Sequence, residues 1–409
     1  MPAPIDWSTL KTFPDKNEIR AWLRETDPQR LEELWRRANE IRRAHVGDAV
    51  HLRGLVEISN FCARQCMYCG LRAGNVNLAR YRMQADEIFE AAQQAVKFGY
   101  GTVVLQGGED YSITTSWMAD VIRRIKSETP LAVTLSLGER PEKELIAWRE
   151  AGADRYLLRF ETSDRDLFEE IHPPLGNRQC DRIAILRQLK RIGYEVGSGV
   201  MVGIPGQTYE SLANDILMFR KLDLDMIGIG PFIPHPATPL GSGMQFFPSV
   251  NGEQVPATEL MVYKAIALTR LVRPDANVPA TTALATINKK NGRELGLQRG
   301  ANVFMPNLTP LKYRRLYEIY PAKACIAETG DACNSCLSLR IRAIGRHIGS
   351  GPGGRWNRDL QFTERGSLSR SASQLQTDAA SPKTLELPPL LRVTDPRSDG
   401  NTVSTANLL

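Results

Sequence analysis

From residue 54 to about residue 306 the chain repeats one alternation, short β-rich runs followed by amphipathic stretches of helix length. The runs are GLVEISN (54–60), TVVLQGG (102–108), AVTLSLG (132–138), RYLLRFET (155–162), EVGSGVMVGI (195–204), MIGIGPFI (226–233), NVPATTAL (277–284) and ANVFMP (301–306). Between them lie segments such as ADEIFEAAQQAVKFG, PEKELIAWREAG, RIAILRQLKRIG and YESLANDILMFRKL, apolar at helical spacing. A strand returned to the same edge by a helix builds a parallel sheet. Eight repeats over roughly 250 residues match a closed (β/α)8 barrel of the TIM type. An open doubly wound sheet satisfies the same count, because the sequence supplies strand number and not closure.

The flanks differ from this core. Residues 1–50 read as an N-terminal helical segment, with DKNEIRAWLRETDPQRLEELWRRANEIRRAHVG carrying apolar positions at helical spacing and many i,i+4 charge pairs. Residues 51–348 form the predicted barrel, including a cysteine-bearing segment at 321–340. Residues 349–409 are rich in Gly, Pro, Ser, Thr and Asp and are expected to be disordered, with LELPPLLRV their one apolar patch.

Composition narrows the setting. Of 409 residues 42% are hydrophobic and 24% charged, enough to bury a full core. The net charge of +6 comes without a Lys/Arg run, so no nucleic-acid partner is expected. The N-terminus lacks a basic-then-apolar signal pattern, and no apolar stretch approaches the ~18 residues of a membrane span. The expected location is the cytoplasm, with no membrane partner and a monomeric state. Thiols stay reduced there, so clustered cysteines point to metal or catalysis before disulfides.

Three of the seven cysteines crowd into NFCARQCMYCG, where Cys62, Cys66 and Cys69 are spaced C-x3-C-x2-C at the end of the first β-run. A structural zinc site wants a fourth ligand, and the other cysteine group lies more than 250 residues away. A disulfide would leave the third thiol unused. A [4Fe–4S] cluster on three thiolates leaves one iron open to a small molecule.

With Tyr68 before the last cysteine and a parallel barrel behind it, this loop resembles that of the radical S-adenosylmethionine superfamily. The resemblance implies that the open iron is chelated by the amino and carboxylate groups of S-adenosylmethionine, which one electron cleaves to methionine and a 5′-deoxyadenosyl radical. It also implies the contacts. LQGGED, with Gln106, Gly107 and Gly108, resembles the segment facing the cofactor's amino group, where glycines permit close backbone approach. Ser136, Arg159 and Glu161 end strands three and four, and Glu161 suits ribose hydroxyls. Arg182 matches the arginine pairing with the cofactor carboxylate, for which a guanidinium fork is well shaped. VMVGIPGQT (200–208) resembles the adenine-side segment. A plain βα turn at 105–110 and a surface arginine at 182 are the bland alternatives.

Longer stretches, among them YCGLRAGNVNLARYRM, GADRYLLRFET, GYEVGSGVMVGIPGQT and DMIGIGPFIPHP, are similar over roughly residues 15–348 to the [FeFe]-hydrogenase H-cluster maturases of the HydE type. That implies action on a cysteine-ligated iron carbonyl cyanide precursor, towards the dithiomethylamine-bridged diiron subcluster. Implied partners are a tyrosine-lyase-type radical maturase, a GTPase scaffold, and an electron donor such as flavodoxin or ferredoxin. Implied substrate-cavity residues are Arg53, Thr134, Thr281, Thr282, Met305 and Tyr317; Thr281 and Thr282 otherwise read as ordinary strand residues and Met305 as an ordinary core residue. Cys325, Cys333 and Cys336, spaced C-x7-C-x2-C, match an auxiliary [2Fe–2S] or [4Fe–4S] site that varies within the family. A helix's length past the last strand, Cys325 is expected well away from the barrel mouth. Cys180 reads as a small buried hydrophobe, and His235 as a structural or gating residue. Phe160 stands where the family's RHET segment has histidine. The competing readings are a radical enzyme on a small organic substrate, like methylornithine synthase or biotin synthase, and a non-catalytic iron–sulfur carrier.

Overall fold

The computed structural model describes residues 13–176, 180–243, 253–326 and 330–355, without the side chains of 330–333 and 335. Two helices lead into the barrel. Lys16–Arg24 starts in a capping box, with Asp15 accepting from the Glu18 amide and Glu18 reaching back. Pro28–Val46 starts behind N-cap Asp27 with proline at its first turn. The first packs against the helices Tyr209–Lys221 and Glu259–Val272, the second against Glu259–Val272. That last helix is buried at twelve of its fourteen positions, including Lys264, whose ammonium donates to the carbonyls of Leu23 and Glu25.

The strands are β1 (Ala49–Ser59), β2 (Thr102–Gly107), β3 (Ala132–Ser136), β4 (Arg155–Leu157), β5 (Glu195–Val202), β6 (Met226–Pro231), β7 (Val303–Phe304) and β8 (His347–Ile348). They form one curled parallel sheet in the order β6-β5-β4-β3-β2-β1-β7. Helices cover the outer face and the strands close on themselves inside, so β1 and β5 are buried almost end to end.

The seventh β-run resolves differently from its expected strand at 277–284. Only residues 277–280 are extended, bridging Met226 on one side and Val303 on the other. Those bridges link β6 to β7 through a few backbone hydrogen bonds, among them Asn277 N to Asp225 O and Ile227 N to Asn277 O at 2.9 Å, and Ala280 N to Val303 O at 3.0 Å. Thr281 then caps, and Thr282 begins, the helix Thr282–Ile287. Thr281 and Thr282 are therefore not strand residues; they stand at the strand's C-terminal exit. The eighth run is likewise shorter than ANVFMP, and Met305 follows β7.

The composition assigns 349–355 to the tail, but these residues lie under the barrel. The Gly353 carbonyl accepts from Arg53 Nη2 at 2.9 Å and Asn277 Nδ2 at 3.2 Å, and the Pro352 carbonyl from Thr102 Oγ1 at 2.9 Å. Arg355 spans Asp223 (2.9 Å), Asp225 (3.2 Å) and Asp275 (2.7 Å). A glycine-rich strand end fits here because side chains would not: a Cβ on Gly101 would collide with the Gly351 carbonyl. The remainder of the tail, with LELPPLLRV, lies outside the described residues. Among the described residues no helix is long and apolar enough to cross a membrane.

Replacing Arg355 by Ala leaves three carboxylates short of one cation. It should reduce the stability of the cluster-loaded protein by about 1–3 kcal/mol, read from the denaturation midpoint. A variant indistinguishable from the parent would show that Arg355 does not hold this segment against the three aspartates.

Candidate functional site

Past the end of β1, the 60–81 loop carries almost no secondary structure and is shaped by two polar side chains. Asn60, fully buried, donates to the carbonyls of Ala79 and Leu316 (2.8 Å each) and accepts from the Tyr81 amide (2.7 Å). Arg80 fans out to the carbonyls of Asn60 (2.6 Å), Leu71 (2.8 Å), Arg72 (2.9 Å) and Asn75 (3.2 Å). One guanidinium thereby satisfies four carbonyls that no ladder would. The loop is stitched to its neighbours by Ala63 N to Glu109 O (3.0 Å), Met67 N to Ile171 O (2.9 Å) and Leu240 N to Met67 O (3.0 Å).

Two glycines permit this approach. A Cβ on Gly108 would strike the Phe61 carbonyl, and one on Gly70 would strike the Glu318 carbonyl and the His235 ring. His235 is thus packed under the cysteine loop, with Nδ1 accepting from Ala237 N at 3.0 Å, and burial lowers its pKa.

Cys66 is buried and Cys62 and Cys69 are half-buried. Burial pushes all three thiols up, Cys69 to about 12. Without a cationic centre three neighbouring thiolates are unfavourable here, so deprotonation and metal binding go together. Among the described residues, only Glu139, His172 and Cys180 form a Cys/His/acid group whose ligand atoms all lie within 4.8 Å.

The Glu139–His172–Cys180 group belongs to an ion network instead. Arg64 donates to Glu109 (2.5 Å) and Glu139 (2.6 Å). Arg182 donates to Glu139 (3.0 Å) and to the Arg159 carbonyl (2.7 Å), lies 3.6 Å from Glu109, and touches His172 Nε2. The Cys180 thiol donates to Glu139 at 2.5 Å. Burial opposes the charge on Arg182, yet Tyr68, Glu139 and Glu109 hold its pKa above the ordinary value. Burial and the Arg182 charge keep His172 neutral, far below its usual pKa. Two guanidiniums already supply the positive charge of this space.

The other predicted cofactor contacts surround the same rim. Gln106 on β2 pairs in register with Ser136 on β3, and its amide reaches the Tyr317 hydroxyl at 3.2 Å. Tyr68 packs against the apolar group around Leu167, Ile171, Met201 and Phe232. Arg159 donates to the Val200 carbonyl at 2.6 Å and sits 3.0 Å from Glu161 Oε2 without hydrogen-bond geometry. Glu161 Oε2 is consequently buried with no hydrogen-bond partner among the described residues. Paired by charge with Arg159 but accepting no hydrogen bond, this oxygen is open to a ligand donor, and a ribose hydroxyl is such a donor. On that observation the residues fit the cofactor. Phe160 turns into the core against Phe219, centroids 5.8 Å apart, and carries no proton.

The six predicted substrate residues fall into two places. Arg53, Thr134 and Met305 line one small cavity, about 40 Å³, deep in the barrel with Met226, Gly228 and Asn277. Burial, then Arg155, lowers Arg53 to about 9, and both Arg53 Nε and Thr134 Oγ1 lack hydrogen-bond partners among the described residues. Tyr317, Thr281 and Thr282 lie higher: Tyr317 at Gln106, Thr281 donating to Ile229 O at 3.2 Å, Thr282 accepting from Arg293 Nη2 at 3.1 Å.

That last contact overturns the expectation that Cys325 stands well away from the mouth. Arg293 places its other nitrogen, Nη1, 3.4 Å from Cys325 Sγ, so one side chain joins the second cysteine site to Thr282. The helix at 311–314 is one turn long, and the segment after it folds back, with Lys323 buried on Glu57 of β1. Cys325 and Cys336 line a cavity of about 590 Å³ bordered by Lys289, Arg293 and Arg340. Cys333 lies in the helix Gly330–Ala343, its side chain outside the described set.

Sequence reading missed Arg64, Glu109, Glu139 and Asp215. Arg64 sits inside the cysteine motif and Glu109 and Glu139 directly follow β2 and β3, so position alone marked them. Asp215 was marked by polarity, an aspartate in the apolar stripe of Leu212, Ile216 and Phe219.

Comparison with known proteins agrees with this geometry. Residues 56–219 match the Radical SAM superfamily. The [FeFe] hydrogenase maturase subunit HydE of Thermotoga maritima is 48% identical over 324 residues, 79% of this chain and 89% of that protein. The chain belongs to the HydE family. It is a radical SAM enzyme. The 3-methylornithine synthase of Methanosarcina acetivorans is 28% identical over 289 residues, 70% of this chain and 77% of that one. Among solved structures, methylornithine synthase superposes with a TM-score of 0.69 at 23% identity, covering 83% of this chain and 95% of its own. The FeFe-hydrogenase maturase HydG of Carboxydothermus hydrogenoformans superposes at 0.64 with 16% identity, covering 81% and 75%. At those identities the two structures speak for the fold.

Replacing Arg182 by Lys keeps the charge between Glu109 and Glu139 but loses the fork. Cluster content should hold while S-adenosylmethionine binding weakens by about 1.5–3 kcal/mol, measured by equilibrium dialysis; parallel loss of iron would make the residue structural. In the second site, a Cys333→Ser/Cys336→Ser variant should lose iron from reconstituted protein while 5′-deoxyadenosine production continues. Loss of that product with the first cluster intact would assign the second site to the radical step.

Proposed function

We propose that this enzyme matures the [FeFe]-hydrogenase active site by acting on a cysteine-ligated iron carbonyl cyanide precursor, on the path to the dithiomethylamine-bridged diiron subcluster. The 48% identity to a HydE maturase across most of both chains carries the proposal. When bound, the [4Fe–4S] cluster and S-adenosylmethionine supply a 5′-deoxyadenosyl radical.

The chain's own residues divide the work. Cys62, Cys66 and Cys69 hold the cluster. Arg182 takes the cofactor carboxylate, Glu161 the ribose hydroxyls, Gln106 with the Gly107–Gly108 backbone the amino end, and Ser136, Tyr68 and Arg159 border the same pocket. Below them Arg53 and Thr134 offer a buried cation and a free hydroxyl to anionic or cyanide-bearing groups, and Met305 a soft wall. Thr281, Thr282 and Tyr317 line the approach. The partners proposed are the other hydrogenase maturation proteins and a low-potential electron donor such as flavodoxin or ferredoxin. The second cysteine cavity, rimmed by cations, suits an anionic [2Fe–2S] or [4Fe–4S] cluster.

Anaerobically reconstituted and reduced, the protein should cleave S-adenosylmethionine, and expressing it should restore hydrogenase activity to cells lacking their own HydE. Single Cys62→Ser, Cys66→Ser or Cys69→Ser substitutions should abolish both. Cofactor cleavage by the parent without restored hydrogenase, together with accumulation of 3-methylornithine, would favour the small-organic-substrate reading.

A further inference from the structure

We propose that Asp215 is a positioning residue of the cofactor site, fixing the backbone at Glu161 and tying that segment to the 201–208 loop. Asp215 has no solvent exposure. Its Oδ1 accepts from the Ser163 amide, from Ser163 Oγ at 2.6 Å and from Thr162 Oγ1 at 3.3 Å. Its Oδ2 lies 3.4 Å from Gln207 Nε2. Gln207, equally buried, accepts from the Gly203 amide at 2.7 Å and donates to the Met201 carbonyl at 3.0 Å. One carboxylate therefore stands between two loops that leave neighbouring strands.

The reason for so costly a group lies one residue before Thr162. Glu161 has φ of 62°, the left-handed region that non-glycine residues avoid. Such a conformation persists only where its surroundings over-determine it. On one side a bridge to β5 does so, with Glu161 N on Gly199 O and Met201 N on Glu161 O, 3.1 Å each. On the other side the three bonds into Asp215 do so. Burial pushes the Asp215 carboxyl up to about 7, against the pull of the Ser163 and Thr162 bonds. An apolar residue would fill the same volume more cheaply; it would not hold the turn. The result is a Glu161 side chain whose Oε2 has no hydrogen-bond partner among the described residues.

The inference rests on the reading that Glu161 meets the ribose of S-adenosylmethionine, and the test separates the two. Reconstituted protein with its cluster oxidised binds the cofactor without turnover, so equilibrium dialysis with S-adenosylmethionine reads affinity alone. Asp215→Ala should weaken binding by about tenfold or more with iron content unchanged, while Asp215→Asn, which keeps Oδ1 for Ser163 and Thr162 but sets a donor against Gln207 Nε2, should lose less than Asp215→Ala. The Glu161→Ala/Asp215→Ala double variant should bind no worse than the weaker single, because both losses run through one contact. Wild-type affinity in Asp215→Ala, or additive losses, would overturn the proposal while leaving the ribose reading intact. Wild-type affinity in Glu161→Ala would refute the ribose reading, and the proposal with it. Should Asp215→Ala lose its cluster, Thr162→Val/Ser163→Ala removes the side-chain donors without touching the helix. It should weaken binding by roughly three- to tenfold, and unchanged affinity would again overturn the proposal.

Discussion

A guanidinium withdrawn from water must be surrounded by acceptors, and the rim of this barrel is arranged around meeting that demand at Arg182. Its acceptors come from four loops: Glu109 after β2, Glu139 after β3, the Arg159 carbonyl after β4, and His172 beyond them. Two carboxylates against one cation would leave an excess negative charge, and Arg64, from inside the cysteine loop, balances it. The set is neutral before any ligand arrives. Breaking one member would leave an uncompensated buried charge, which costs more than the pair contributes. So the cysteine loop cannot settle into place independently of the strand ends; the carboxylates that hold Arg182 also hold Arg64 of the cysteine loop.

The barrel is asymmetric along its axis. At the lower end, Gly353, Pro352 and Arg355 satisfy Arg53, Thr102 and three aspartates, and the small cavity around Arg53, Thr134 and Met305 lies just above. At the upper end the loops carry their polar groups toward one another and leave a few atoms unmet, such as Glu161 Oε2. Unpartnered buried atoms thus occur at both levels among the described residues, Arg53 Nε and Thr134 Oγ1 in the small cavity and Glu161 Oε2 at the rim, and parallel barrels collect their chemistry at the rim.

Much of this was legible in the sequence because it depends on local spacing. The alternation of β-runs and helices marked the barrel; the three-cysteine loop, the glycine pair at 107–108 and Glu161 marked its rim. What was not legible depends on contacts between distant segments. NVPATTAL reads as a strand by composition, yet the extended backbone ends at 280 and a helix begins at Thr282. The 349–355 segment reads as tail by its glycines, yet those glycines let it pass beneath Gly101 and His51 without collision. Asp215 was visible only as an exception to an apolar stripe; its partners, some 50 residues upstream, were not.

The second cysteine site shows how chain length misleads about distance. Cys325 comes after the last strand and a helical stretch, and rise per residue alone would carry it outward. The chain instead turns at Ala322 and Cys325, both with positive φ, and Lys323 buries its ammonium on Glu57 in the wall of the barrel. A lysine paired inside β1 draws the segment in, and Arg293 completes the approach by touching Cys325 and Thr282 at once, its guanidinium stacked 4.3 Å over Phe304. A rigid cation shared between a cysteine sulfur and a hydroxyl at the mouth cannot respond to one without altering its hold on the other. Whatever charge the second site carries is therefore felt at Thr282 through a single side chain. Proximity of this kind makes Cys325 a near neighbour of Thr282, although a long stretch of sequence separates the two.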